Sequence, residues 1–179
     1  MRHLPAVMPG GIVPATLIIG WLAAACARPA PPVPETDAGP SRNAAAADRS
    51  VSLERGPCFG TCPVYLVTVD GAGNVRFEGR RFVADTGIST GTVPRARLDS
   101  LFAEVDASGY FTLADRYGAG EPGCERYATD LPTITTEVRL GDRVKRVEHD
   151  RGCADVPEML SALETRIDAV ADVGRWIGR

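Results

Sequence analysis

The sequence predicts an α+β domain of ββαββα order: a four-stranded antiparallel sheet, two helices packed on one face, and disulfide staples. Three observations carry this prediction. Two stretches alternate apolar and polar residues on either side of a turn. Each is followed by a stripe of apolar residues at helical spacing. Four cysteines, Cys58, Cys62, Cys124 and Cys153, flank these elements.

In the first half, Val64 to Val69 is a β-rich run, and Asp70-Gly71-Ala72-Gly73-Asn74 is turn chemistry. Val75 and Phe77 then alternate with Arg76 and Glu78, completing a hairpin. A loop through Gly87 and Gly91 is expected next. Thr92 is the expected N-cap of a helix with Pro94 in its first turn. Leu98, Leu101, Phe102 and Val105 share one face of that helix, and Gly109 closes it. Val51 and Leu53 add a short strand before the first cysteine pair.

The second half repeats the order. Ile134, Thr136, Val138 and Leu140 alternate with Thr135, Glu137 and Arg139, and Gly141-Asp142 makes the turn. Val144 and Val147 lie three apart on the return strand, which predicts a bulge or a three-residue loop. Asp155-Val156-Pro157-Glu158 resembles a capping box. Met159, Leu160, Leu163, Ile167 and Val170 then share a helical face, and Trp176 and Ile177 fold back as a C-terminal plug. The two helices align at an offset of 62, Leu98 with Leu160 and Asp106 with Asp168.

The N-terminus has the pattern of a secretory signal over residues 1–25: Arg2 and His3, an apolar run from Gly11 to Ala25, and small residues before Cys26. The run is shorter than the roughly 20 residues of a membrane-spanning helix. Leu22-Ala23-Ala24-Ala25-Cys26 resembles the lipobox of bacterial lipoproteins, with the usual leucine displaced by one position. That resemblance implies acylation of Cys26 as the first mature residue, and Ala27 after it implies the outer membrane, facing the periplasm. Residues 26–50 then form an Ala/Pro-rich tether with too little apolar surface to offset its ordering entropy. Extended, the tether reaches about 75 Å at about 3.1 Å per residue. Residues 51–179 suffice for one domain with a core of its own.

An exported chain with four body cysteines predicts a disulfide framework, and four cysteines allow three pairings. With Gly141-Asp142 as the turn, position 130 lies opposite Cys153, and Cys124 comes six residues earlier in a Gly/Pro-rich loop. This favours Cys124–Cys153 together with Cys58–Cys62, and leaves crossed pairing open.

Cys58-Phe59-Gly60-Thr61-Cys62-Pro63 also resembles the C-x-x-x-C-P motif of Sco-type copper chaperones, which add a distant histidine. That resemblance implies Cys58, Cys62 and His149 as a soft-ion site for Cu(I), or thiol–disulfide chemistry at the pair. The context differs from that family, because Pro63 leads directly into a strand and no parallel βαβ pattern surrounds it. His149 shares parity with Val147, so the alternative is a packed strand residue. More of the body, through Pro57-Cys58-Phe59-Gly60-Thr61-Cys62-Pro63-Val64-Tyr65, Thr129-Asp130-Leu131-Pro132-Thr133 and His149-Asp150-Arg151-Gly152-Cys153, resembles a family of uncharacterised bacterial exported domains. It implies an exported single domain and no mechanism.

The net charge is −3 and no basic block stands out, which argues against nucleic acid as a partner. Lys145 is the only lysine among the 20 basic residues. No G-x-S-x-G is present, and the cysteine spacing lacks paired CxxC knuckles for zinc. Glu121, Glu125, Asp130 and Asp150 could gather near the Cys124–Cys153 end. Loop carboxylates are more often solvated or turn-capping than acid–base pairs, and Tyr65 and Tyr127 read as packing residues. The sequence therefore favours a non-catalytic, membrane-anchored binding or inhibitor module without a cofactor. Its partner would be an envelope protein, a glycan or a small ligand. The alternative is a redox or copper-handling protein using Cys58 and Cys62.

Overall fold

The alternation in residues 49–55 (Arg-Ser-Val-Ser-Leu-Glu-Arg) builds the strand that organises the domain. In the computed structural model, which describes residues 48–178, this strand β1 (Arg49–Arg55) lies between β2 (Val64–Asp70) and β6 (Thr133–Leu140), antiparallel to both. Readings on the signal segment, Cys26 and nearly all of the tether lie outside the described residues. Val51 and Leu53 are fully buried on one face of β1, while Ser52 and Glu54 take the other.

The sheet has seven strands, not the four expected, and is mixed rather than purely antiparallel. Its order is β4-β3-β2-β1-β6-β7-β5, completed by β3 (Asn74–Arg81), β4 (Gly87–Thr92), β7 (Arg143–Asp150) and the short β5 (Arg116–Tyr117), which runs parallel to β7. Among the described residues there are three helices: α1 (Arg95–Ala107), α2 (Glu158–Ala171) and the short α3 (Gly174–Ile177). A 3-10 turn covers Tyr110–Thr112.

Each departure from the expected fold has a local cause. The stretch expected as a loop through Gly87 and Gly91 is β4, paired with β3 from Asn74↔Thr92 to Gly79↔Gly87. A Cβ at Gly91 would stand 1.9 Å from Arg175 Nη2 and 3.4 Å from the Trp176 ring, so the end of the Arg175 side chain would have to move, whereas Gly87 takes φ 83° with open space beside it. Trp176 of α3 stacks on Phe77 with centroids 5.0 Å apart. Thr92 belongs to β4 and does not cap α1, whose N-cap is Pro94. The N-cap of α2 is Pro157, and Asp155 instead binds Arg126.

The β6–β7 hairpin pairs without interruption from Leu140↔Arg143 to Thr133↔Asp150, so the expected bulge is absent. Gly141 at φ 61° opens the two-residue turn, as a II′ hairpin requires. Val144 and Val147 lie three apart because they serve opposite faces: Val144 is 47% exposed and Val147 is buried. The register irregularity falls instead between Val64 and Tyr65 on β2.

One continuous core lies between the sheet and the helices, from Val51, Leu53 and Val67 on the strands to Leu98, Phe102, Leu160 and Ile167 on α1 and α2. Tyr110 anchors the 3-10 turn into it, its hydroxyl 2.8 Å from Thr136 Oγ1 and 3.0 Å from the Thr136 carbonyl. Burial pushes the Tyr110 hydroxyl up to about 12.

Candidate functional site

Three segments far apart in sequence meet where β1 ends. Gly56 N–H donates to the Thr133 carbonyl at 2.8 Å, Phe59 N–H to the Asp130 carbonyl at 3.1 Å, and Arg151 N–H to the Pro132 carbonyl at 3.0 Å. The chain can come this close at Gly56 because a Cβ there would lie 3.0 Å from the Thr133 oxygen. A disulfide joins Cys58 to Cys62, with Cα atoms 5.8 Å apart, and closes the loop between β1 and β2 into a small ring. The ring holds Phe59 out into solvent, 89% exposed.

Beneath this ring lies a cleft of about 450 Å³, within the range of small-ligand sites, walled by Cys62, Pro63, Leu131, Pro132 and Ile177. Its floor is a polar cluster. Arg55 continues the inward parity of Val51 and Leu53, so its side chain lies under α2 rather than on the open face. Its Nη2 and Nε donate to Asp168 Oδ2 at 2.6 and 2.9 Å, and Nε also to the Tyr65 hydroxyl at 2.9 Å. Tyr65 in turn donates to Asp168 Oδ1 at 2.9 Å.

Electrostatics hold the cluster together against burial. Burial works against the Arg55 charge, yet Asp168 and Tyr65 outweigh it and raise the Arg55 pKa. Burial also lifts the Asp168 carboxyl above its usual range, opposed by Arg55 and the Tyr65 hydrogen bond. With three donated hydrogen bonds, Asp168 keeps its charge at neutral pH. The Tyr65 hydroxyl is pushed up, first by burial and then by Asp168, and stays protonated. A wider concavity of about 790 Å³ lies over β3 and β4, lined by Thr68, Arg76 and Thr90 among others. None of the three converging segments reaches it.

Cys124 and Cys153 are also joined, with Cα atoms 5.2 Å apart, and both are buried. A bridge between Tyr127 and Cys153 continues the pairing beyond β7, three residues from position 130, which the simple hairpin extrapolation puts opposite Cys153. His149 points into the core, with Nδ1 2.7 Å from Glu164 Oε1. It therefore does not meet Cys58 and Cys62, whose sulfurs bond each other. Among the described residues no three His, Cys, Asp or Glu side chains gather as a metal site.

The four loop carboxylates act separately. Asp150 accepts from the Tyr127 hydroxyl at 2.8 Å and from Gly152 N–H at 2.9 Å. Asp130 accepts from the Thr129 hydroxyl at 3.0 Å. Glu121 lies 4.0 Å from Arg116, and Glu125 is exposed.

Sequence reasoning missed Arg55, Asp168, Arg151 and Glu164. Arg55 left a signal, because an arginine in register with Val51 and Leu53 has to find a buried anion. Glu164 and Asp168, one turn apart on α2, left another. They reach His149 and Arg55, which lie in one cross-strand row through Ile134.

No curated protein matches the chain. Residues 49–171, from the first residue of β1 to the last of α2, match a family described as a domain of unknown function, DUF6438. That span takes in all seven strands, both disulfides, Arg55, Arg151 and Asp168. The chain belongs to the DUF6438 family.

Proposed function

We propose that this protein is a non-catalytic binding module of the bacterial envelope. Its lipid anchor is Cys26, its spacer the Ala/Pro-rich tether, and its contact surface the cleft beneath the Cys58–Cys62 ring. The anchor reading rests on the lipobox resemblance and places the domain on the periplasmic face of the outer membrane. Among the described residues no helix is long and apolar enough to cross a membrane.

One observation carries the binding reading: segments around positions 58–62, 130–132 and 151 converge on a single cleft over a fixed polar floor. Binding residues are disproportionately carried on loops positioned by a rigid scaffold, and here three loop segments are held by the sheet and a disulfide. Two variants test it. A photo-crosslinking residue in place of Leu131, which is 49% exposed in the cleft wall, should capture a partner in intact cells. The same residue in place of Arg76, on the open sheet face, should not. Equal capture from both positions would contradict the reading. Cys26→Ala should move the protein from the membrane to the soluble fraction, and retention in the membrane would refute the anchor.

A second reading, thiol–disulfide exchange, is favoured by one contrast. Cys58 and Cys62 are half-buried and Cys62 lines the cleft, whereas Cys124 and Cys153 are buried. In that reaction an incoming dithiol is oxidised as the 58–62 disulfide is reduced to two thiols. Thiol titration after mild dithiothreitol treatment separates the readings. Two new thiols at a potential well above that of structural disulfides favour exchange, and none favours the binding module.

A further inference from the structure

The composition of the cleft is specific enough to name the chemistry it recognises. The cleft lining holds two guanidinium groups, Arg55 and Arg151, and one carboxylate, Asp168. Arg55 spends Nε and Nη2 on Asp168, and its Nη1 donates to no described residue. Arg151 is exposed on the cleft wall, and its side chain meets no hydrogen-bond acceptor or carboxylate among the described residues. The cleft therefore holds one uncompensated positive charge and free N–H donors at two points.

The acceptor side is equally defined. Thr165 lines the cleft from α2, and its hydroxyl proton goes to the Ser161 carbonyl at 3.0 Å. Its oxygen is left to accept a hydrogen bond from a ligand. Tyr65 is fully committed, donating to Asp168 and accepting from Arg55. The remaining walls, Pro63, Leu131, Pro132 and Ile177, are apolar.

From these features we infer that the cleft binds the C-terminal residue of a peptide chain whose last side chain is apolar. The free carboxylate meets Arg151 and Arg55 Nη1, the backbone N–H meets the Thr165 oxygen, and the side chain packs on the proline and leucine wall. A single carboxylate matches the single excess charge. A phosphate dianion would add a second negative charge against Asp168, which already holds Arg55. Arginine suits this role because its planar fork pairs both carboxylate oxygens. The inference rests on the binding reading above and assigns its ligand class.

The test uses N-acetylated tripeptides, acetyl-Ala-Ala-X with X = Ala, Val, Leu or Phe, each as the free acid and as the C-terminal amide. Binding to the oxidised protein is followed by amide chemical-shift changes. The Leu and Phe acids should bind at least about tenfold tighter than their amides, with shifts centred on Arg151, Leu131 and Thr165. Arg151→Ala should abolish the preference for acid over amide, and Arg151→Lys should retain part of it. Arg76→Ala should change nothing. Thermal unfolding of each variant checks that the fold is intact. Equal binding of acid and amide, an acid preference that survives Arg151→Ala, or no binding by any peptide at millimolar concentration would overturn the inference. None of these outcomes touches the crosslinking contrast between Leu131 and Arg76, so the inference and the reading beneath it fail separately.

Discussion

Cys124–Cys153 and Cys58–Cys62 lie at the same end of the sheet, where β1 and β7 finish and β2 and β6 begin. The first joins positions 29 apart, and both of its cysteines are buried. The second joins positions only 4 apart, half-buried beside the cleft. In the chain-entropy picture, closing the longer loop stabilises the fold on the order of 3.5 kcal/mol, and the small ring about 2 kcal/mol at most. The long bridge fastens the Gly-rich loop before β6 to the end of β7. The short one gives the connection between β1 and β2 a fixed shape and sets Phe59 outward. A bond that adds little to global stability and much to local shape belongs to a recognition surface more readily than to a framework.

The largest effect should come from the long bridge. Replacing Cys124 and Cys153 together by alanine should lower unfolding stability on the order of 3.5 kcal/mol in urea titrations, with the 58–62 ring still intact. A loss below about 1 kcal/mol would mean that packing, not the bridge, holds this loop. Next comes Asp168→Asn, which leaves the Arg55 guanidinium in place without its anion. The group retains some contact with solvent, so the expected cost is about 2 kcal/mol, below that of a fully buried broken pair. The same variant should disturb the cleft floor, a loss the long-bridge variant would not share.

Cys58→Ala with Cys62→Ala should cost less than the other two changes, under about 2 kcal/mol. It should speed amide exchange at Phe59 and at Arg151, whose N–H donates within the cleft wall. The smallest effect concerns pH. The side chain and backbone N–H of Arg126 both donate to Asp155 and hold its carboxyl below the usual range. That contribution is complete above the unfolded value of about 4 and is lost as pH falls through the depressed folded value. In an acid titration the Arg126 amide resonance should shift below pH 4, and in Asp155→Asn the shift should vanish.

The parts legible in the sequence were those with short-range periodicity. Alternation on both sides of Gly71 and of Gly141 marks the two hairpins, and the 3–4 spacing of Leu98, Leu101 and Val105 marks α1. The strand β4 is not legible, because Gly-Ile-Ser-Thr-Gly-Thr reads as a turn unless its pairing with β3 is known. β1 carried its alternation openly, but nothing local shows that it pairs on both sides and joins the two hairpins into one sheet. The site was harder still. The cysteine ring was visible as a motif, whereas its cleft is assembled from Arg55, Arg151 and Asp168, which only the register and the seating of α2 bring together.

The central claim is that the small ring shapes a ligand surface while the long bridge holds the fold. It is tested most directly by comparing the two double-alanine variants side by side. A photo-crosslinking residue at position 131 reports capture in cells, and urea midpoints report stability. Under this account, the variant lacking Cys58 and Cys62 loses capture and keeps most of its stability. The variant lacking Cys124 and Cys153 loses most stability yet keeps capture wherever it remains folded. Capture that survives loss of the 58–62 ring, or that falls with stability alone in both variants, would contradict it.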